Sequence, residues 1–168
     1  VRDLGSAETF LPSNDAVVFV DNHDTQRGHW GEAFNYKTGD RYILANVFML
    51  AYPYGYPKVM SSYEFDDKEA GPPEAPVDST CGDGWVCEHR KPAIASMVGF
   101  RNVTHGEPAT NWEEHGESAV SFGRGDRGHV ILNAGDEPID VTATTDLPPG
   151  DYCNILVEAS PSGCDLVT

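Results

Sequence analysis

The stretch that most constrains the fold is a short apolar run that ends abruptly in ionisable residues. Residues Ala16 to Val20 read AVVFV, a continuous apolar and largely β-branched segment between polar neighbours. Such a run predicts a strand buried on both faces, which is typical of parallel sheets. The run is followed directly by DNHD, residues 21–24. Because the carboxyl ends of strands carry the chemistry in parallel α/β folds, we expect a functional site here.

The residues after this strand predict one strand–helix–strand unit. Apolar positions recur at helical spacing from Arg41 to Ala51, and Thr38 to Asp40 supply candidate caps. Two prolines and a glycine between Tyr52 and Pro57 end the helix. Lys58 to Ser61 then follow as a second short strand. Parallel neighbours need a crossover connection, so these three segments predict a βαβ unit.

A long irregular insert, Ser62 to Glu88, interrupts this pattern. It contains a glycine and three prolines between residues 71 and 76, and two cysteines near its end. Loops of this length in compact domains are usually functional or stapled. A second helix is predicted from His89 to Val103, where Pro92 fits only in the first turn.

From Trp112 onward the apolar period changes from helical to alternating. Short β-rich runs are separated by GRGDRG, AGDEP and LPPGD, which are strong turn signals. The runs are Ala119–Gly123, His129–Asn133, Ile139–Thr145 and Tyr152–Val157. Gly106 to Asn111 resembles a boundary. We therefore predict an α/β part, residues 1–106, followed by an antiparallel all-β part, residues 107–168.

The four cysteines fall into two close pairs. Cys81 lies near Cys87, and Cys153 lies near Cys164, with a glycine between the members of each pair. The even count and short spacing favour two local disulfides of the kind found in secreted proteins. A zinc site is the weaker alternative, because neither pair has CxxC spacing.

The charge balance argues against two classes of partner. The chain carries 27 acidic and 11 basic residues, a formal net charge of −16. Nucleic acids and anionic membranes repel such a surface. No apolar stretch approaches the roughly 18 residues of a membrane helix. We therefore expect neither partner, whereas a neutral polysaccharide is compatible with the charge.

Several motifs together resemble the α-amylase family, retaining glycosidases built on a (β/α)8 barrel. FVDNHDTQRG is similar to the family's fourth signature stretch. Later stretches are similar to its chloride-dependent branch, found in animals and some bacteria: YGYPKVMSSYEF, GWVCEHR, MVGFRNVTHG and SFGRGDRGHVILNAGD. The similarity runs from about Pro12 to about Cys164.

The resemblance implies only part of the family fold. A complete barrel typically needs about 250 residues, and this chain has 168. The implied architecture is α/β followed by all-β: an incomplete (β/α)8 TIM barrel, comprising the last two β/α units, plus a partial antiparallel Greek-key β domain. We expect a carboxyl-terminal piece of a larger enzyme.

The resemblance also assigns roles at the strand end. Asp24 matches a catalytic carboxylate that grips the ring hydroxyls of the sugar and favours its distorted, positively charged state. The nucleophile and general acid are expected outside this chain. His23 matches a histidine that hydrogen bonds to the same sugar, and His29 is a candidate contact to a neighbouring one. Trp30 could stack on a sugar or pack within the loop.

Simpler interpretations of these residues stay open. Most loop aspartates cap a turn or a helix, and Asp24 could do the same. A lone histidine such as His23 more often orients itself by bonding to the backbone. The two interpretations differ in whether the side chains are available to a ligand.

Asn22 and Lys58 form a second candidate site, for an anion. They flank the ends of the two predicted strands, so parallel pairing would bring an amide donor and an ammonium close together. In the chloride-dependent branch these positions resemble two chloride ligands. A chloride there would raise the pKa of the general acid. A salt bridge from Lys58 to a carboxylate is an equally weighted alternative.

The expected function is that of a fragment of a secreted endo-α-amylase, which hydrolyses α-1,4-glucosidic bonds in starch or glycogen with retention. The family's calcium is implied to have its ligands mainly outside this chain, so no metal site is assigned here. We expect the isolated chain to be inactive and the full-length enzyme to be a monomer. Two alternatives stay open: a non-catalytic carbohydrate-binding or structural β module, and a related α-glucan transglycosylase.

Overall fold

A computed structural model of the chain describes residues 10–29, 31–74, 76 and 81–156, and the backbone of 166–167. Two helices are present, α1 (Asp40–Ala51) and α2 (Pro92–Val103), in this part of the chain. The strands are β1 (Val17–Val18), β2 (Tyr56–Pro57), β3 (Ala109–His115), β4 (Ala119–Arg124), β5 (His129–Asn133), β6 (Tyr152–Cys153) and β7 (Leu166–Val167). Neither described helix has the length and apolar character needed to span a membrane.

The first half contains the predicted βαβ unit. β1 and β2 pair in parallel, with Val18 opposite Pro57, and α1 lies between them in the chain. The backbone N–H of Lys58 donates to the carbonyl of Val18 across 2.8 Å. Both helices were predicted, and Pro92 occupies the first turn of α2 as expected.

The second strand lies earlier than predicted. The strand expected over Lys58 to Ser61 is instead Tyr56–Pro57. The backbone N–H groups of Tyr56 and Lys58 donate to β1, and Pro57 lies between them. Since alternate residues of a strand direct their N–H groups to opposite edges, the missing N–H of Pro57 costs this pairing nothing.

The prediction that the first strand is buried on both faces is wrong. Val17 is 55 % exposed and Phe19 is 47 % exposed, whereas Ala16 is buried. Val18 and Val20 pack against the core. The strand is therefore covered on one face only within the described residues.

One apolar core joins the helices to the β half. Phe122 and Ile94 are fully buried, and the stacked rings of Trp112 and Phe122 have centroids 5.3 Å apart. The buried members of this core are Val47, Met49, Leu50, Ala51, Tyr52, Ile94, Met97, Phe122, Val130 and Leu132. The core therefore continues across the predicted boundary at residue 106.

The β half is an antiparallel sheet in the order β3-β4-β5. Strands β4 and β5 match the predicted runs, with Val120 opposite Leu132. Within the described residues these strands connect as a meander, so the predicted Greek key is not what they form. β6 pairs with β7 in a separate antiparallel ladder. The run predicted from Tyr152 reaches only Cys153 as strand, and Val157 lies outside the described residues.

Two segments of the β half differ from the strand pattern predicted from the sequence. β3 begins inside the stretch predicted as a boundary, and its register shifts between Thr110 and Glu113, next to the positive φ of Asn111. Its polar sequence, ATNWEEH, gives little strand signal. The run from Ile139 to Thr145 forms no strand. Instead, the backbone N–H of Thr144 donates to the carboxylate of Glu113.

The insert is closed by the predicted disulfide. Cys81 and Cys87 are bonded, with Cα atoms 5.9 Å apart, and Tyr63 forms an isolated antiparallel bridge with Trp85. The predicted disulfide between Cys81 and Cys87 is confirmed. The predicted disulfide between Cys153 and Cys164 stays a prediction, because Cys164 lies outside the described residues.

Gly55 allows β2 to approach β1. Its φ is +68°, and a Cβ at this position would lie 2.7 Å from Cγ1 of Val18. That separation is shorter than any normal carbon–carbon contact. Gly55 is therefore required both by its backbone conformation and by the space beside β1.

We predict that Gly55→Ala destabilises the chain more than Gly116→Ala does. Gly116 has a similar φ of +74°, but a Cβ there would meet nothing within 4 Å. Positive φ alone costs about 1 kcal/mol, and the clash with Val18 should add about 1–3 kcal/mol. Urea denaturation of the two variants measures the difference. Equal losses would show that the approach of the strands does not depend on Gly55.

Candidate functional site

The DNHD motif forms a tight turn beyond the carboxyl end of β1, and Asn22 organises it. Its side-chain oxygen accepts hydrogen bonds from the backbone N–H groups of Asp24 (2.9 Å) and Thr25 (2.8 Å). In return, the backbone N–H of Asn22 donates to the hydroxyl of Thr25 (2.9 Å). This reciprocal arrangement fixes the backbone on both sides of His23, as an Asx turn does.

Asp24 and His23 project from this turn into solvent. Their side chains are 51 % and 80 % exposed, and His23 Nε2 lies 3.6 Å from Asp24 Oδ1. The side chain of Asp24 makes no capping hydrogen bond to the short helix that follows it. The capping interpretation of Asp24 is therefore not supported, because Asn22 and Thr25 supply the caps. Both candidate groups are available to a ligand.

The remaining loop candidates are less well placed. Gly28 ends the turn with a φ of +74°, and the exposed His29 follows it. Trp30 lies outside the described residues. The structure thus brings Asn22, His23 and Asp24 together, and leaves His29 on the adjoining loop.

The observed strand register places Asn22 and Lys58 farther apart than the predicted strands did. Since Val18 pairs with Pro57, Lys58 lies level with Phe19, three residues before Asn22. Three extended residues span about 10 Å, so an anion between the two would depend on the reach of the lysine side chain. Lys58 is exposed, and none of the ion pairs among the described residues includes it. The salt-bridge alternative is therefore not seen in this part of the chain.

A buried layer of polar groups lies beneath the turn. Gln26 is almost completely buried, and its side-chain oxygen accepts from the hydroxyl of Ser62 (2.9 Å). The backbone N–H of Ser62 donates to the carboxylate of Glu88 (2.7 Å), and Asn35 donates to the backbone carbonyl of Gln26 (2.6 Å). The turn is therefore tied to the insert and to the residue that follows Cys87. Sequence analysis missed this layer, in which hydrogen-bonded residues lie up to 36 positions apart.

Asp21, the first residue of the motif, is buried rather than presented to solvent. It is 3 % exposed, and its Oδ1 accepts a 2.8 Å hydrogen bond from the hydroxyl of the fully buried Tyr42. Among the described residues, Oδ2 has no partner. Burial raises the pKa of Asp21 to about 6, the bond from Tyr42 opposes that rise, and the negative charge of Glu88 adds to it. Tyr42 lies on the buried face of α1, where its hydroxyl is a polar group among apolar side chains. This is the sequence signal that could have revealed the pair.

The start of the insert is held against the turn by a cation–aromatic contact. The guanidinium of Arg27 lies over the rings of Tyr63 (5.1 Å) and Phe65 (4.6 Å), and it donates to the hydroxyl of Tyr63. Lys37 packs over the same ring of Phe65 at 4.3 Å. These contacts hold the start of the insert against the short helix that follows Asp24.

The part of the chain that the structure describes holds no group of three or more His, Cys, Asp or Glu side chains that could bind a metal ion. No calcium ligand is assigned to it.

We predict that Asp21 makes the chain less stable as the pH rises. Its pKa in the folded chain, about 6, lies above its ordinary value of 3.8. The folded state therefore holds this proton where the unfolded state has lost it, and stability falls as the pH rises from about 4 through 6. At 1.36 kcal/mol per pKa unit, the loss is up to about 3 kcal/mol.

Urea denaturation between pH 4 and 7.5 measures this effect as the difference between the native chain and Asp21→Asn. The variant should gain relative stability as the pH rises. Tyr42→Phe removes the hydroxyl that lowers the pKa of Asp21, so the decline should extend to higher pH. A stability difference between the native chain and Asp21→Asn that is independent of pH would refute the assignment.

Comparisons with known proteins identify the family. Residues 110–165 match the family described as alpha amylase, C-terminal all-beta domain. An α-amylase of Streptomyces violaceus is 46 % identical over 156 residues, which cover 92 % of this chain and 27 % of that protein. Human α-amylase 1B is 42 % identical over 177 residues, covering 93 % of this chain and 35 % of the relative.

Solved structures agree with these matches. The crystal structure of α-amylase I from Eisenia fetida matches with a TM-score of 0.77 and 39 % identity, over 84 % of this chain and 32 % of that one. A variant of the same enzyme in complex with maltohexaose matches equally well. The chain thus spans about a third or less of each of these relatives. Together the sequence and structural matches show that this chain belongs to the α-amylase family.

Proposed function

We propose that the chain is the carboxyl-terminal part of a secreted, retaining endo-α-amylase. It contributes the last two β/α units of a (β/α)8 barrel and part of the β domain that follows. One observation carries the proposal: a rigid turn beyond a parallel strand presents Asp24 and His23 side by side to solvent. The disulfide between Cys81 and Cys87 supports a secreted protein.

Asp24 has the chemistry required of a carboxylate that assists the reaction. Glycoside hydrolysis passes through an oxocarbenium-like state, and retaining enzymes use two carboxyl groups about 5 Å apart as nucleophile and acid. Asp24 is proposed as a third carboxylate, which accepts hydrogen bonds from the ring hydroxyls and favours the positive charge that develops on the sugar. The nucleophile and the general acid are then supplied by strands outside this chain.

His23 is proposed to donate a hydrogen bond to the same sugar. A neutral imidazole has one N–H donor and carries no charge that would compete with Asp24. Its exposed position, 3.6 Å from the carboxylate, allows both groups to contact one ring. His29 on the adjoining loop is proposed to contact a neighbouring sugar.

The turn beneath these groups supports preorganisation. The three hydrogen bonds around Asn22 hold the backbone of the site. Below them, the bonds that join Gln26, Ser62 and Glu88 are buried. A carboxylate held in position costs no reorganisation when charge develops in the transition state.

The proposed substrate is a neutral α-1,4-glucan such as starch or glycogen. Relatives that are α-amylases support this class, and one solved relative was crystallised with maltohexaose. A neutral polymer is compatible with a net charge of −16. The relatives do not favour a non-catalytic β module, because they are α-amylases, which are enzymes. The complete enzyme is proposed to act as a monomer.

Asn22 and Lys58 are proposed to hold a chloride ion. The side-chain oxygen of Asn22 is committed to the turn, so its Nδ2 group is the donor that could bind an anion. Lys58 supplies a positive charge that no described carboxylate neutralises. A bound chloride would supply negative charge that raises the pKa of a nearby general acid. Calcium in the complete enzyme is proposed to have its ligands mainly outside this chain.

We predict that Asp24→Asn abolishes most amylase activity in a complete enzyme. A suitable enzyme is a chimera in which this chain replaces the matching carboxyl-terminal part of the Streptomyces violaceus α-amylase. Loss of the charge that stabilises the transition state should reduce kcat by about 100-fold or more. Release of reducing sugar from soluble starch measures the rate.

Asp136→Asn is the matched control, because Asp136 is an exposed aspartate in the loop after β5. It should leave the rate of the chimera unchanged. The 168-residue chain alone should release no reducing sugar. A chimera carrying Asp24→Asn with a normal rate would remove Asp24 from the mechanism.

We also predict that chloride activates the chimera by binding to Lys58. Activity should rise with chloride concentration at constant ionic strength, and Lys58→Gln should raise the chloride concentration for half activation by about tenfold or more. Lys91→Gln, at an exposed lysine before α2, is the control. A chloride response that is absent, or that is the same in both variants, would exclude Lys58 as a ligand.

A further inference from the structure

A cavity lies at the end of the βαβ unit opposite the DNHD turn. It occupies about 510 Å³ between the residues that precede β1 and β2, the end of α2 and the start of β3. Asp24 follows the carboxyl end of β1, whereas this cavity lies at its amino end. The side chains that matter for its chemistry are Arg101, Arg124, Glu107 and His105.

Two arginines form the cationic wall of this cavity. Arg124 is only 2 % exposed, and Arg101 is half-buried. Arg124 donates to the backbone carbonyls of Glu107 (3.1 Å) and Thr104 (2.9 Å), and to that of Ala51. All three acceptors are neutral main-chain groups, so they hold the guanidinium without cancelling its charge.

Arg101 is held in the same way. It donates to the carbonyls of Tyr52 and Gly55, each across 2.6 Å, and makes longer contacts to the last turn of α1. The carboxyl end of a helix carries only a partial negative charge, about half an elementary charge. That partial charge compensates two guanidiniums incompletely.

Both guanidiniums have N–H groups that donate to no described residue. Each carries five N–H groups. Arg124 uses three of these with described residues, and the Nε–H of Arg101 has no acceptor among them. Both residues line the same cavity, and each has N–H groups that donate to no described residue.

Carboxylates balance the positive charge of this cavity wall only in part. Glu107 is the one described carboxylate on the cavity wall, and its Oε1 already lies 3.3 Å from Nε of a third arginine, Arg127. Burial lowers the pKa of Arg124 to about 10, the positive charge of Arg101 adds to this shift, and the negative charge of Glu107 opposes it. In a chain with a net charge of −16, three arginines that share one carboxylate are an exception, and the excess positive charge favours an anion.

We propose that this cavity binds a small oxyanion of the phosphate class, held between Arg101 and Arg124. The planar fork of a guanidinium matches two oxygens of such an anion, and burial strengthens charge-assisted hydrogen bonds. The inference rests on the cavity and its arginines alone, so it stands or falls independently of the proposed amylase function.

The test is a phosphate titration of the 168-residue chain at pH 7.5, with sodium chloride added to keep the ionic strength constant. The melting temperature should rise with phosphate and reach a plateau, because a ligand of the folded state stabilises it. Arg101→Gln should weaken the apparent affinity by about tenfold or more. Arg41→Gln, at an exposed arginine of α1, should leave it unchanged.

A second variant tests the proposal in the opposite direction. Glu107→Gln removes the carboxylate that competes for the arginines, so phosphate should bind several-fold more tightly. This result does not require Arg101→Gln to fold. No saturable response in the native chain would overturn the proposal, and so would equal affinities in the native chain and Glu107→Gln.

Discussion

The close parallel pairing of β1 with β2 is the constraint on which the rest of the structure depends. Backbone N–H groups of Tyr56 and Lys58 donate to β1 on either side of Pro57, and Gly55 lets the strands approach. This pairing fixes where β1 ends, and hence where the DNHD turn begins. One face of β1 is exposed, because no described residues cover Val17 and Phe19.

The motif that follows β1 places its two aspartates in opposite environments. Asp21 is buried against Tyr42 and raises the electrostatic cost of folding near neutral pH, whereas Asp24, three residues later, is exposed. Asn22 separates these two environments by bonding to the backbone of the turn. One short segment thus places one carboxylate in the core and exposes another to solvent.

Local patterns predicted the helices well and the strands less well. Apolar spacing located both helices because this signal is local, although α2 begins at Pro92 and not at His89 as predicted. β2 lies earlier than predicted because Pro57 was assigned to the segment that ends α1, although its missing N–H faces away from the partner strand. The contact of Gln26 with Ser62 could not be predicted, because only the tertiary fold brings together polar residues 36 positions apart.

We propose that Asp24 lies at the sugar-binding cleft of the complete enzyme. A crystal structure of the chimeric amylase with bound maltohexaose would show this contact directly. We expect an oxygen of the Asp24 carboxylate to lie within about 3.2 Å of a sugar hydroxyl at the cleavage site, with His23 bonded to the same ring. A sugar bound elsewhere, with Asp24 facing only solvent, would contradict it.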